Sequence, residues 1–215
     1  MKILLIGPPG CGKGTQANLI INEFNIPQIS TGDMLRKHVE VNSELGIKAK
    51  SSMDNGELVP DNVILGMMRK RLIQGDCKNG YILDGFPRTI PQAIGLDALL
   101  SKLNHSLDKV IVINVTDDTI VERMGGRRVH PASGRIYHIK FNPPKINNAD
   151  DITGGKLIIR KDDEEKTVRK RLGIYHNSTS PLISYYSKED LISIIDGNRK
   201  INEIFLNIKQ ILNND

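Results

Sequence analysis

A glycine-rich stretch at residues 7–15, GPPGCGKGT, follows directly on the apolar run Ile3, Leu4, Leu5, Ile6. Few sequence features restrict a fold more. The run reads as a buried strand, the glycines as a tight turn and Lys13 as the opening of a helix, an order that builds an anion cradle. Glycine lets the backbone bend and brings N–H groups forward with no Cβ in the way. Lys13 adds a mobile cation, and the helix N-terminus adds its partial positive charge. The alternative is a glycine-rich turn that binds nothing, and the strand–loop–helix context weighs against it. Gly14 stands where the general motif has Ser or Thr, and the hydroxyl arrives one residue later, at Thr15. The chain therefore reads as a handler of nucleotide phosphates with a variant loop.

At 215 residues and 39% hydrophobic content, one good core with small satellite domains is affordable. The net charge of +5 is compatible with nucleic acid, but aromatics are only 4%, Trp is absent and no long Lys/Arg run occurs. Neither a stacking platform nor a basic tail is present. A protein that grips two polyphosphates with arginines has the same charge balance, so small nucleotides are the expected partners and nucleic acid is not. Cys11 and Cys77 are too few for a disulfide framework and lack metal-ligand spacing. Cys11 reads as a small residue that fits the loop. The N-terminal apolar run is too short for a signal peptide, and no stretch approaches a membrane span. The expectation is a cytoplasmic protein with reduced thiols and no membrane partner.

After the loop, Ala17, Leu19, Ile20, Ile21 and Phe24 make an apolar helical stripe that Pro27 ends. Ser30, Thr31, Gly32 and Asp33 have capping-box spacing, so a helix is predicted from there. Residues 44–54 read as a helix closed by Asn55 and Gly56. Another helix follows a cap within Val59, Pro60, Asp61 and Asn62 and stops at Gly75. Tyr81, Ile82, Leu83 and Asp84 form a short strand ending in a carboxylate; 91–103 is helical, 110–115 a buried strand and 117–124 a helix. From 125 to about 163, Gly, Pro and Asn with short alternating pieces at 135–139 and 156–159 suggest a small β-rich insert. A long helix over 167–186, with an interruption near Pro181, a strand at 191–195 and a helix at 201–212 complete the chain. Strands alternating with helices predict an α/β fold, an open parallel sheet with its ligand at the carboxyl ends of the strands.

Asp84 stands where a P-loop protein puts the carboxylate that organises Mg²⁺ through water. Behind it, Gly85, Phe86, Pro87, Arg88, Thr89, Ile90, Pro91 and Gln92 make a stiff mount for a phosphate-holding guanidinium, with Gln92 four residues on and able to offer its amide to a base edge. Arg123, Arg127 and Arg128 precede the insert, and Arg160, Arg169 and Arg171 follow it. Helix-surface arginines are usually solvated, the even alternative for Arg128 and Arg169; the number of the others beside one insert favours a shared polyanion. Phosphoryl transfer needs aligned phosphates, excluded water and positive charge where negative charge develops.

Five segments, GPPGCGKGT at 7–15, STGDMLR at 30–36, LDGFPRTIPQ at 83–92, GRRVHPASGRIY at 126–137 and RKDDEEKTVRKR at 160–171, together resemble the adenylate kinase family, in its bacterial long-lid form. The resemblance runs over nearly the whole chain. It implies a P-loop NTPase-type core at 1–29, 60–125 and 164–215, a helical AMP-binding domain at 30–59, and a β-rich lid at 126–163. It implies ATP + AMP ⇌ 2 ADP with Mg²⁺, in a monomer. Gly10, Cys11, Gly12, Lys13, Gly14 and Thr15 are implied to hold the ATP phosphates, with Arg123, Arg127, Ile136, Tyr137 and Arg199 completing the ATP site. Thr31, Arg36, Glu57, Leu58, Val59, Gly85, Phe86, Pro87, Arg88 and Gln92 are implied at AMP. Arg160 and Arg171 are implied to face AMP and the transferring phosphoryl, and Asp162 and Asp163 to hold the lid closed. Lys13, Arg88, Arg123, Arg160 and Arg171 form the implied catalytic set.

Relatives with zinc in the lid carry four ligands as Cys-x-x-Cys pairs, the last position sometimes Asp. The matching positions here are His130, Ser133, Asp150 and Thr153. Hydroxyls are poor zinc ligands and no thiolate is present, so a hydrogen-bonded network without zinc is expected. A kinase for UMP, CMP or GMP is the nearest rival; Thr31 with Gln92 and the long insert favour AMP. A nucleotide sensor needs only one site, and a P-loop GTPase lacks its Asn-Lys-x-Asp motif here.

Overall fold

The computed structural model describes residues 1–187 and 191–213; the few residues of the expected core stretch at 188–190 and 214–215 lie outside them. In chain order the elements are β1 (Lys2–Ile6), α1 (Lys13–Phe24), β2 (Gln28–Ser30), α2 (Thr31–Glu40), α3 (Glu44–Asp54), α4 (Asp61–Leu72), β3 (Tyr81–Asp84), α5 (Ile90–Lys102), β4 (Lys109–Asn114), α6 (Asp117–Gly126), β5 (Arg127–Val129), β6 (Ile136–His138), α7 (Glu165–Ile174), α8 (Pro181–Tyr186), β7 (Ile192–Asp196) and α9 (Ile201–Asn213). Strands β2, β3, β1, β4 and β7 lie side by side in that order, all parallel.

Successive residues of β1 face opposite sides, so its continuous apolar run serves two cores at once. Leu4 and Ile6 join Leu83, Val110 and Val112 under α4, α5 and α8. Ile3 and Leu5 join Ile82, Ile111 and Ile113 under α1, α6, α7 and α9. Burying each such side chain is worth about 1.5–3 kcal/mol. The register sets Leu5 and Ser30 beside Asp84, and Asn114 beside Asp196, so the carboxyl ends of the strands share one rim. β1 lies between β3 and β4, and the loop after β1 opens at that switch in strand order.

One strand, β2, was not expected from the sequence, and one expected interruption takes a definite form. β2 is three residues long, too short for a period to show, and its last residue also caps the next helix: Ser30 Oγ accepts from the Asp33 N–H at 3.3 Å. The helix expected over 167–186 is divided by a wide turn at Tyr175–Thr179, where the Ser180 N–H reaches back to the Tyr175 carbonyl at 2.8 Å. Pro181 has no N–H to give and crowds the carbonyl four residues before it, and the wider winding ahead of it makes room.

In the insert, β5 and β6 pair antiparallel, while the expected strand at 156–159 pairs only at Lys156 and Ile158. No helix among the described residues is long and apolar enough to cross a membrane.

Candidate active site

Past β1 the backbone turns through Gly10 (φ 82°) and Gly12 (φ 102°), both left-handed, into α1. A Cβ on Gly7 would stand 2.7 Å from both Cys11 Sγ and the Ile113 carbonyl, so glycine is what lets the loop lie against β4. Cys11 is buried beneath the loop. The Lys13 ammonium donates to the carbonyls of Gly7 (2.6 Å) and Pro8 (2.9 Å) and lies 3.5 Å from Cys11 Sγ. From α6, Arg123 donates to the carbonyls of Cys11 (3.4 Å) and Gly197 (2.8 Å), tying the loop to the turn after β7. Arg199, in that turn, is exposed and lies 3.6 Å from Asp196.

Across the rim, Asp84 ends β3. Its Oδ2 accepts from Gln28 Nε2 at 2.8 Å and lies 3.9 Å from where a Cβ on Gly14 would stand. Gly85 follows at φ 76°, and its carbonyl accepts from both Thr31 Oγ1 (2.7 Å) and Arg88 Nε (2.8 Å). The Phe86–Pro87 peptide is cis. The Arg88 carbonyl accepts from Thr179 Oγ1 at 2.8 Å. Gln92, buried on α5, accepts the Arg88 N–H on Oε1 (2.8 Å) and donates from Nε2 to Asp61 Oδ1 (2.7 Å). The cap expected within residues 59–62 falls at Pro60, and the Asp61 carboxylate turns toward α5. Glu57, Leu58 and Val59 link α3 to α4, Val59 buried and Glu57 paired with Lys170 at 2.7 Å.

The guanidinium groups converge. Arg36 pairs with Asp33 at 2.5 Å, Arg171 with the Asp162 carboxylate at 2.7 Å, and Arg127 grips Asp163 through two bonds. Asp163 bonds within the insert, whereas Asp162 bonds the insert to α7. Burial, then Arg171, pulls the Arg88 guanidinium down to about 10. Burial, then Arg36 and Arg127, brings Arg160 to about 10 as well, and burial lowers Arg171. Although burial pushes the Asp162 carboxyl up, Arg171, Arg127, Arg160 and Arg36 hold it below its ordinary value. Five arginines from α2, the turn before α5, β5, the end of the insert and α7 thus feel one another's charge. Such a cluster is relieved by a multiply charged anion.

In the insert, His130 Nδ1 lies 2.7 Å from Ser133 Oγ and its Nε2 3.3 Å from Thr153 Oγ1. Thr153 Oγ1 donates to Asp150 at 2.8 Å, Arg135 holds the same carboxylate at 2.7 and 2.6 Å, and Tyr137 OH adds 2.9 Å. The Arg135 guanidinium keeps the Asp150 carboxyl well below the usual range. Among the described residues no group of three or more His, Cys, Asp or Glu is placed to hold a metal. The Tyr137 side chain belongs to this network, while its backbone lies opposite Arg128 in the β5–β6 pair. Sequence reasoning missed Gln28, Asp61 and Thr179: each bonds to a residue more than 25 positions away, with no local pattern to betray it.

A parallel sheet whose first strand runs into a glycine cradle, beside converging arginines, defines a P-loop phosphotransferase. The adenylate kinase family model matches residues 5–191, and the chain belongs to that family. It is 54% identical over 215 residues to the adenylate kinase of Clostridium perfringens strain SM101, covering all of both chains. The adenylate kinase of Photorhabdus laumondii is 52% identical over 217 residues, covering 99% of this chain and all of the relative. That of Clostridium botulinum strain Hall is 52% identical over 215 residues, again complete on both sides.

Proposed function

We propose that this enzyme interconverts ATP + AMP and two ADP, the two nucleotides meeting end to end between the glycine loop and the 85–92 turn. The convergence of Arg36, Arg88, Arg127, Arg160 and Arg171 supports this most, because one phosphate chain does not need five guanidinium groups from five segments. ATP phosphates rest on the N–H groups of residues 10–15, and Lys13 leaves the Gly7 and Pro8 carbonyls to follow the transferred group. Arg123, Arg127, Ile136, Tyr137 and Arg199 complete the ATP side. AMP lies against Thr31, Arg36, Glu57, Leu58, Val59 and 85–88, its base toward Gln92. Arg88, Arg160 and Arg171 hold charge where it builds as the phosphoryl passes.

The Asp84 carboxylate is a hard oxygen donor beside the loop and suits Mg²⁺ arriving with ATP through its water shell. When bound, Mg²⁺ neutralises charge on the β- and γ-phosphates. In this reading residues 126–163 close as a lid over a core of 1–29, 60–125 and 164–215, and 30–59 close over AMP. Asp162 and Asp163 hold the closed lid; adenylate kinase lids are themselves the standard example of such closure. The insert holds no zinc, because the Asp150 oxygens and both His130 nitrogens are already engaged. Protein purified without added metal is expected to carry far less than one zinc per chain by elemental analysis; one zinc per chain would refute this.

The reaction is tested by mixing the protein with Mg-ATP and each nucleoside monophosphate in turn. ADP should form fastest with AMP and stop when a chelator is added, and a molecule joining both nucleotides should compete with each. A single binding site by titration, or equal rates with UMP, CMP and GMP, would overturn it.

A further inference from the structure

Gln92 carries two N–H groups and two carbonyl lone pairs, and one of each is committed inside the protein. Its Oε1 faces the Arg88 backbone N–H, which only donates. Its Nε2 faces Asp61, whose carboxylate only accepts and which also takes the Thr89 hydroxyl at 3.2 Å. Both partners act one way, so the carboxamide cannot turn over without setting N–H against N–H and oxygen against oxygen. What remains is one acceptor site on Oε1 and one N–H on Nε2, in a fixed order.

That order has a chemical reading. The 6-amino group of adenine donates and the ring nitrogen beside it accepts, whereas hypoxanthine presents a 6-oxo acceptor beside a ring N–H donor. A carboxamide held one way matches the first and meets the second with two like groups; free to flip, it would serve both. We infer that Asp61, through its hold on Gln92, is a positioning residue that sets the preference for a 6-amino over a 6-oxo purine monophosphate. This rests on the proposed placement of the AMP base at Gln92. Asp61 also puts an acid in the first turn of α4, which favours the helix. That role concerns stability alone and would not distinguish two substrates.

The experiment compares initial rates with AMP and with IMP, which differ at this edge of the base, in wild type, Asp61→Asn, Asp61→Glu and Gln92→Met. In Asp61→Asn the partner amide can turn to accept or donate, so the lock on one side is lost. The AMP-over-IMP ratio of kcat/KM should fall about tenfold, the worth of one net hydrogen bond, with KM for ATP unchanged. Asp61→Glu keeps a pure acceptor and should retain the ratio even if KM for AMP rises. Asp61→Ser, whose hydroxyl also works both ways, should repeat the fall and serves if the Asn variant does not fold. An unchanged ratio in Asn and Ser alike overturns the inference. If Gln92→Met also keeps the ratio, the placement of the base is wrong; if Gln92→Met loses it while Asp61→Asn does not, only the lock fails.

Discussion

Lys13→Ala lowers kcat by about a thousandfold or more, with the melting temperature within a few degrees of wild type. The expectation comes from how the cations of the cleft are held. Arg127 is clamped by Asp163 and Arg171 by Asp162, while Arg123 is strung between carbonyls of two separate loops. Lys13 alone among these is parked on the neutral carbonyls of its own loop. An ammonium held by two carbonyls gives them up readily for a phosphate oxygen, so it can track a group in flight where a clamped guanidinium cannot. Losing it strips that moving charge from the transition state, while the loop keeps its glycines and the Cys11 N–H bond to Pro8. Steady-state rates beside a thermal melt separate the two effects. A rate near wild type would mean the phosphates pass elsewhere.

Much of this architecture was readable residue by residue, for a physical reason. The three inner strands of the sheet, β3, β1 and β4, are buried on both faces over most of their length, so runs such as Ile3 to Ile6 and Val110 to Ile113 carry no polar interruption, and the helices between them announce their ends. Ser30 capping Asp33 and Asn55 with Gly56 closing α3 are local chemistry, written within four residues. β2 escaped because three residues beside Pro27 show no period, and only pairing with β3 makes them a strand. The split between α7 and α8 showed only as a proline, whose effect falls on the turn before it. In the candidate site, the loop and Arg88 were legible as motifs. That five guanidinium groups share one field is a fact of tertiary placement. The Asp61 hold on Gln92 was hidden deeper still: 31 positions separate the two, and the aspartate sits where a helix-end residue is expected. Motif spacing names the groups; the fold decides which way each points.

Arg88→Met separates function from stability in opposite directions. Turnover is expected to drop at least about a hundredfold, because the guanidinium set between Gly85 and the other arginines no longer meets the phosphoryl. The protein without nucleotide should melt a few degrees higher. Burial and the neighbouring Arg171 pull the Arg88 pKa down to about 10, so folding disfavours its charged form. For a cation lowered by folding, the penalty is present below the folded pKa and fades as pH rises from there toward the ordinary arginine value. Removing the charge at neutral pH therefore stabilises the fold, by roughly 1 kcal/mol after solvent screening. The backbone loses little. Gly85 keeps its bond from Thr31, and Thr179 and Gln92 bind main-chain atoms of residue 88 that methionine retains. The melting difference should narrow as pH passes 10. Saturating ATP with Mg²⁺ and AMP should reverse it, because bound phosphates relieve the wild-type arginines and stabilise that fold by mass action. If the variant instead melts lower than wild type without nucleotide, the guanidinium is bound by contacts stronger than its repulsions, and the cleft is not the strained anion receptor described above.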